Sequence, residues 1–173
     1  MNSIAGTKLS SWYQQAKKTA IANCVDPDEV DWLVQTITEL DSLSLRLGTW
    51  QNQAQIKSNK SLSELTKLWQ QRLQERLPVQ YLVETVFWRR FQLKVTPAVL
   101  IPRPETELII DIALENSLIS GSNQHWVDLG TGSGAIALGL ADVFPAATIH
   151  AVDLSAEALK IAQENANSVN FNH

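Results

Sequence analysis

The stretch Val127-Asp128-Leu129-Gly130-Thr131-Gly132-Ser133-Gly134-Ala135 decides how this chain is to be read. It follows a short apolar run, residues 125–129, and leads into a helical pattern over 134–143. Its glycines therefore fall where a strand turns into a helix. Gly130 permits a tight turn, and Gly132 lets a ligand approach the backbone with no Cβ between them. The helix that starts near Gly134 points free N–H groups at whatever lies before it. A second apolar strand, 148–153, ends on Asp153, nineteen residues after Gly134. A carboxylate at that place can accept both hydroxyl hydrogens of an adenosine ribose. Ser155 then caps a helix with Ala158, Leu159, Ala162 and Ala166 along one face. Strand, helix, strand and helix in this order imply a right-handed βαβ unit with parallel strands.

Two adenosine ligands compete for this loop. Gly130-Thr131-Gly132-Ser133-Gly134-Ala135 fits the dinucleotide pattern G-x-G-x-x-[GA]. Asp128 speaks against a dinucleotide. A carboxylate two residues before the first glycine is expected to face the crevice, where it can pair with the ammonium of a methionine moiety and would repel a pyrophosphate. The plainer alternatives are that Asp128 only bonds turn amides, and that Asp153 is a neighbour of the Ser155 cap.

Working outward toward the N-terminus, the period is helical. Trp12, Ala16, Ala20 and Ile21 follow Ser10 and Ser11, which are candidate N-caps. Asp26, Pro27 and Glu29 form a capping-box start for a helix whose face is Val30, Leu33, Val34, Ile37 and Leu40. A short helix over 42–47 ends at Gly48, and the polar run 51–59 reads as a loop. Ser61 and Glu64 make a second capping box, ahead of Leu62, Leu65, Leu68, Trp69 and Leu73, with Pro78 as the stop. Residues 81–88 and 91–96 then read as a β-hairpin joined at Arg89-Arg90, and 105–118 as a helix with Leu108, Ile109, Ile112 and Ala113 at helical spacing.

Composition narrows the class. The chain has 173 residues, 45% of them apolar and 18% charged, a globular balance. A single cysteine, Cys24, excludes an internal disulfide and a Cys-rich zinc site. No apolar run of about 18 residues is present, and no signal peptide is visible, so a cytoplasmic setting is expected. Fourteen basic against eighteen acidic residues, net −4, argue against generic nucleic-acid binding. Residues 1–77 carry nine Lys/Arg and eight Asp/Glu, and residues 78–173 carry five and ten, so the two parts differ in character.

Asp128-x-Gly130-x-Gly132-x-Gly134, followed by an acid ending the next strand, resembles the Rossmann-like S-adenosylmethionine-dependent methyltransferases. Pro97-Ala98-Val99-Leu100-Ile101-Pro102-Arg103-Pro104-Glu105-Thr106-Glu107, with Pro78-Val79-Gln80-Tyr81-Leu82 upstream, resembles more narrowly the HemK/PrmC family. Those enzymes methylate the side-chain amide of the glutamine in the Gly-Gly-Gln motif of peptide chain release factors. The resemblance implies an α + α/β architecture: a helical bundle over 1–77 for release-factor recognition, a β-hairpin linker over 78–100, and the first βαβα of a methyltransferase domain over 101–173. It implies S-adenosyl-L-methionine as cofactor, held by Asp128, Gly130, Thr131, Gly132, Ser133, Gly134, Asp153 and Arg103. It implies release factors as partners, with no direct nucleic acid, membrane or metal. Arg103, fixed between Pro102 and Pro104, is expected either at the cofactor edge or in a surface ion pair. Lys67, Arg72, Arg76, Arg89, Arg90 and Lys94 form a candidate docking surface, against the plainer reading of a solvated face.

The chain departs from the family in two places. Glu84 stands where the family usually has glycine, so a local distortion of the hairpin is expected. The family's acceptor motif Asn-Pro-Pro-Tyr does not occur in these 173 residues. The chain is therefore expected to be an incomplete copy that supplies no catalytic residue, is inactive alone, and folds poorly over 125–173. The rival readings are a methyltransferase with a different acceptor and a non-catalytic cofactor-binding or interaction fragment.

Overall fold

Short polar residues cap two helices of the N-terminal part, through Asp41 and Ser61. The structure, a computed structural model, describes residues 2–116 and 124–171. Its chain order begins with strand β1 (Asn2–Ile4) and helix α1 (Gly6–Ala22), then α2 (Asp28–Ile37) and α3 (Ser42–Leu47). Strand β2 (Ile56–Ser58), helix α4 (Leu62–Glu75) and the single turn α5 (Val79–Leu82) follow. Ser61 and Glu64 close a full capping box on α4: the Ser61 N–H donates to the Glu64 carboxylate at 2.7 Å, and the Glu64 N–H donates back to the Ser61 hydroxyl. Asp41 caps α3, and Gly48 ends it in the left-handed conformation. The core of this part is Leu9, Ala16, Val30, Leu33, Val34, Ile37, Leu65 and Trp69.

Three expectations for this part are corrected. Helix α1 starts at Gly6, so Ser10 and Ser11 lie inside it, and Ser11 bonds back to the Thr7 carbonyl. Asp26 accepts from the Asp28 N–H, but Glu29 does not close a capping box; its carboxylate is drawn to Arg72, in a salt bridge at 2.5 Å. The polar run 51–59 holds a strand, because Ile56 pairs with Ile4 and Ser58 with Asn2, antiparallel. A three-residue strand between polar neighbours carries too little pattern to be read from sequence.

The chain divides into two compact units, Met1–Leu82 and Val83–His173. The hairpin lies within the second unit. Strand β3 (Thr85–Trp88) pairs with β4 (Phe91–Lys94) in antiparallel register, Trp88 opposite Phe91. Arg89 at the tip has a left-handed φ of 49°. The turn tolerates this poor residue because its groups are engaged elsewhere. The Arg89 N–H donates to Glu107 at 2.9 Å, its guanidinium pairs with Asp111 at 2.8 Å, and Arg90 pairs with Asp142. Glu84 also lies in the left-handed region, at φ 51°, yet the ladder from Thr85 to Trp88 is regular. The expected distortion is thus confined to one backbone position, where glycine would sit without steric cost.

A 3₁₀ turn, Pro104–Thr106, leads into α6 (Glu107–Asn116). The last two residues expected in that helix, Ser117 and Leu118, lie outside the described residues. The buried face of α6 is corrected: Ile110 is fully buried, whereas Leu108, Ile109 and Ile112 are exposed. The helix is apolar on nearly every side, so periodicity could not select a face. The choice is made by Gly139 on α7 (Ala135–Val143), where a Cβ would come within 2.8 Å of Ile110 and 3.1 Å of Trp88. Strands β5 (His125–Leu129) and β6 (Thr148–Val152) run parallel, Asp128 opposite Ala151, and α8 (Ala156–Ser168) follows with Ser155 as its cap. On α8 the buried positions are Ala158, Ile161 and Asn165, while Leu159, expected inside, is partly exposed.

Candidate functional site

The loop after β5 is built on glycine backbone. Gly130, Gly132 and Gly134 have φ of 78°, 54° and 81°, all left-handed, a conformation other residues enter only with strain. A Cβ on Gly130 would meet nothing within 4 Å, and one on Gly132 would meet only the Gly130 carbonyl at 4.0 Å. The backbone there faces open space. Gly134 differs, because its Cβ would come 3.2 Å from that of Ala162 on α8. It is the residue that lets α7 start close against α8, and it serves as the α7 N-cap position.

A set of hydrogen bonds fixes this loop to its surroundings. The N–H groups of Gly130 and Thr131 both donate to the Val152 carbonyl, at 2.7 and 2.9 Å, which closes the turn onto the end of β6. The Gly132 N–H donates to Asp153 Oδ2 at 2.9 Å. The Thr131 hydroxyl donates to Asp128 Oδ2 at 2.7 Å. The same Asp128 oxygen accepts from the Ala137 N–H in the first turn of α7, at 3.2 Å, so its negative charge sits at the positive end of that helix.

Asp128 is the one buried residue of β5, at 8% exposure, between the exposed Val127 and Leu129. It underlies the turn rather than standing open in the crevice, which is the plainer of the two roles foreseen for it. Thr131 and Ser133 are buried with it. Asp153 takes its second bond, at Oδ1, from the Ser155 N–H at 2.9 Å. The backbone donors of Ser155 and Gly132 hold its carboxyl below the usual carboxylate range. Asp153 therefore does what a cap neighbour does, and it also brings the acid and the glycine loop together.

Seven of the eight expected site residues thus meet in one place. Arg103 is the exception. Its side chain is exposed and forms no ion pair among the described residues, while its carbonyl accepts from Trp88 Nε1 at 3.1 Å and from the Thr106 N–H at 3.0 Å. The Pro-Arg-Pro segment here ends the approach from the hairpin and starts the 3₁₀ turn. The expected basic docking surface is largely consumed within each unit. Arg72 pairs with Glu29, Arg89 with Asp111, Arg90 with Asp142 and Lys94 with Glu164, while Arg76 donates to the Asn23 carbonyl.

One residue of the site escaped the sequence reading. Asn165, on α8, donates to the Ser133 carbonyl at 2.8 Å. The available signal was a polar residue seven positions after Ala158 on an otherwise apolar helix face. Among the described residues no group of three His, Cys, Asp or Glu is placed to hold a metal, and no helix is long and apolar enough to cross a membrane.

Comparison with known proteins matches residues 120–173 to a family described as a methyltransferase domain. Over 94% of its length the chain is 51% identical to the release factor glutamine methyltransferase of Synechocystis sp., covering 55% of that protein. It is 47% identical to the protein of the same description from Thermosynechococcus vestitus, over 94% of the chain and 56% of that protein. A release factor glutamine methyltransferase from Lactococcus lactis is 37% identical over 88% of the chain. The chain spans about half the length of the curated relatives it matches.

Proposed function

The chain belongs to the HemK/PrmC methyltransferase family, and from that premise we propose that it supplies the cofactor cradle for methylation of the glutamine side-chain amide in the Gly-Gly-Gln motif of peptide chain release factors. The observation that carries this reading is the bond from the Gly132 N–H to Asp153, because it brings the open glycine backbone and the acid at the end of the next strand together.

The residues fit S-adenosyl-L-methionine. The space in front of Gly130 and Gly132 is free of side chains, so a ligand can lie against their backbone. Asp153 accepts one N–H at each oxygen, and a carboxylate has about four acceptor sites, so capacity remains for two ribose hydroxyls. Asp128, with Thr131, sets a negative charge beneath the methionine end. When bound, the cofactor supplies an electrophilic methyl group on a sulfonium.

The chain's own residues bind and orient. The 130–134 backbone holds the cofactor's position, Asp153 fixes the ribose and so the direction of the adenosyl group, and Asp128 keeps the turn closed. None of them moves a proton. Rate enhancement by such a cradle comes from positioning and from fixed electrostatics. Recognition of the release factor falls to the helical part, residues 1–77.

Calorimetry of this chain with S-adenosyl-L-methionine and with NAD tests the cofactor; a preference for NAD would sink the reading. Mass spectrometry of release factor incubated with cofactor and a complete, full-length version of the enzyme tests the acceptor, since this chain alone is expected to be inactive. One added methyl on the Gly-Gly-Gln glutamine is expected. Binding without that modification would leave a methyltransferase of another acceptor, or a cofactor-binding fragment.

A further inference from the structure

Asn165 sits inside α8 at 1% exposure, on the face that buries Ala158 and Ile161. An amide there must be bonded, because burying it unpaired is costly. Three bonds satisfy it. Its Oδ1 accepts the Lys94 N–H at 2.6 Å, and its Nδ2 donates to the Lys94 carbonyl at 2.9 Å and to the Ser133 carbonyl at 2.8 Å. The first two imitate a neighbouring strand on the free edge of β4. The third reaches into the glycine loop. The adjacent Glu164 takes the Lys94 ammonium at 2.8 Å, so α8 grips this residue by backbone and side chain together.

We propose that Asn165 is a positioning residue for the cofactor loop, holding the Ser133 carbonyl, and through it the left-handed backbone at Gly132 and Gly134, against strand β4. The word cofactor here rests on the function proposed above; the anchoring does not. The physical need is plain. Three glycines in five residues give a loop with high conformational freedom when unbound, and a cradle that samples many shapes binds in proportion to the fraction in the right one. Asp153 restrains Gly132 from the β6 side. Asn165 restrains the next residue from the α8 side, and one planar amide ties loop, helix and hairpin together.

The test compares Asn165→Ala with Lys94→Ala, which deletes the ion pair to Glu164 and keeps the Lys94 backbone. Amide hydrogen exchange at residues 132–135 is read by NMR, with α1, α2 and α4 as internal reference, and cofactor affinity is read by calorimetry. Asn165→Ala is expected to speed exchange at 132–135 and weaken S-adenosyl-L-methionine each by about tenfold, the scale of one buried hydrogen bond. Lys94→Ala is expected to change neither. Unchanged loop exchange in Asn165→Ala overturns the proposal, as does equal loosening by Lys94→Ala. If Asn165→Ala does not fold, the unsubstituted chain decides: its Asn165 Nδ2 protons must exchange as slowly as the loop amides, and exchange at the rate of an exposed asparagine such as Asn52 overturns the proposal. Slow exchange in a chain that binds no S-adenosyl-L-methionine upholds the anchor and overturns the proposed function.

Discussion

Asp153 gives each carboxylate oxygen to a different amide, and the function proposed above adds the ribose hydroxyls to these structural partners. Asp153→Ala is expected to weaken S-adenosyl-L-methionine by about tenfold or more, since bonds to a charged acceptor are among the stronger ones. Unchanged affinity by calorimetry would remove Asp153 from the site. Its acidity adds a second prediction. The carboxyl is lowered in the folded state by the Ser155 and Gly132 donors. Its contribution to the loop is therefore present above the unfolded value of about 3.9 and is lost as pH falls through the lower folded value. The Gly132 and Ser155 amide resonances should titrate together with a midpoint below about 3.9; a midpoint at or above it contradicts the bonding described. Glu84 makes a third case at this scale. At φ 51° it carries left-handed strain that glycine would not. Glu84→Gly is expected to leave the stability of the second unit unchanged or to raise it by up to about 1 kcal/mol, and Glu84→Val to lower it by roughly 1–2 kcal/mol. Urea denaturation reads both, and a more stable Val variant would refute the assignment of strain.

Helices α6 and α7 meet at a glycine, and two opposing effects can be weighed there. Alanine at position 139 favours the helix by about 1 kcal/mol relative to glycine. Its Cβ, however, would lie 2.8 and 2.9 Å from the Ile110 side chain and 3.1 Å from Trp88. Both neighbours are buried, Ile110 completely. Overpacking of this kind costs roughly 1–3 kcal/mol, so Gly139→Ala should destabilise the second unit on balance. A gain in denaturation midpoint would mean that Ile110 can repack. The hairpin tip follows a related logic. Arg89 and Arg90 are poor turn residues, yet Glu107, Asp111 and Asp142 hold them from α6 and α7. Tertiary partners there replace the local turn chemistry that Asn-Gly would have supplied.

The two units differ in how well their elements are covered. In the first, α1, α2 and α4 bury Leu9, Ala16, Ala20, Val30, Leu33, Val34 and Leu65 against one another. In the second, the parallel pair β5 and β6 leaves Leu129 77% exposed, with Val127 and Val152 also open. Parallel strands draw their stability from cover on both faces, and amides in poorly covered elements open at low cost. Native-state hydrogen exchange should therefore show β5 and β6 exchanging faster than α1, α2 and α4. Equal protection across the two units would show this account of their stability to be wrong.

By itself the sequence determined what local chemistry controls. Asp-x-Gly-x-Gly-x-Gly between an apolar strand and a helix, Asp153 at the end of the next strand, the Ser61 and Ser155 caps and the Gly48 stop all act within a few residues of where they stand, so spacing suffices to read them. The tertiary structure alone decided the rest, because it depends on partners far away in the chain. Ile110 rather than Ile109 enters the core because Gly139 makes room for it. Ile56 becomes a strand because Ile4 lies opposite. Glu29 leaves its cap because Arg72, forty-three residues on, offers a stronger bond. Asn165 belongs to the site because Ser133 and Lys94 are brought to it across thirty-two and seventy-one residues, a convergence that no periodicity encodes.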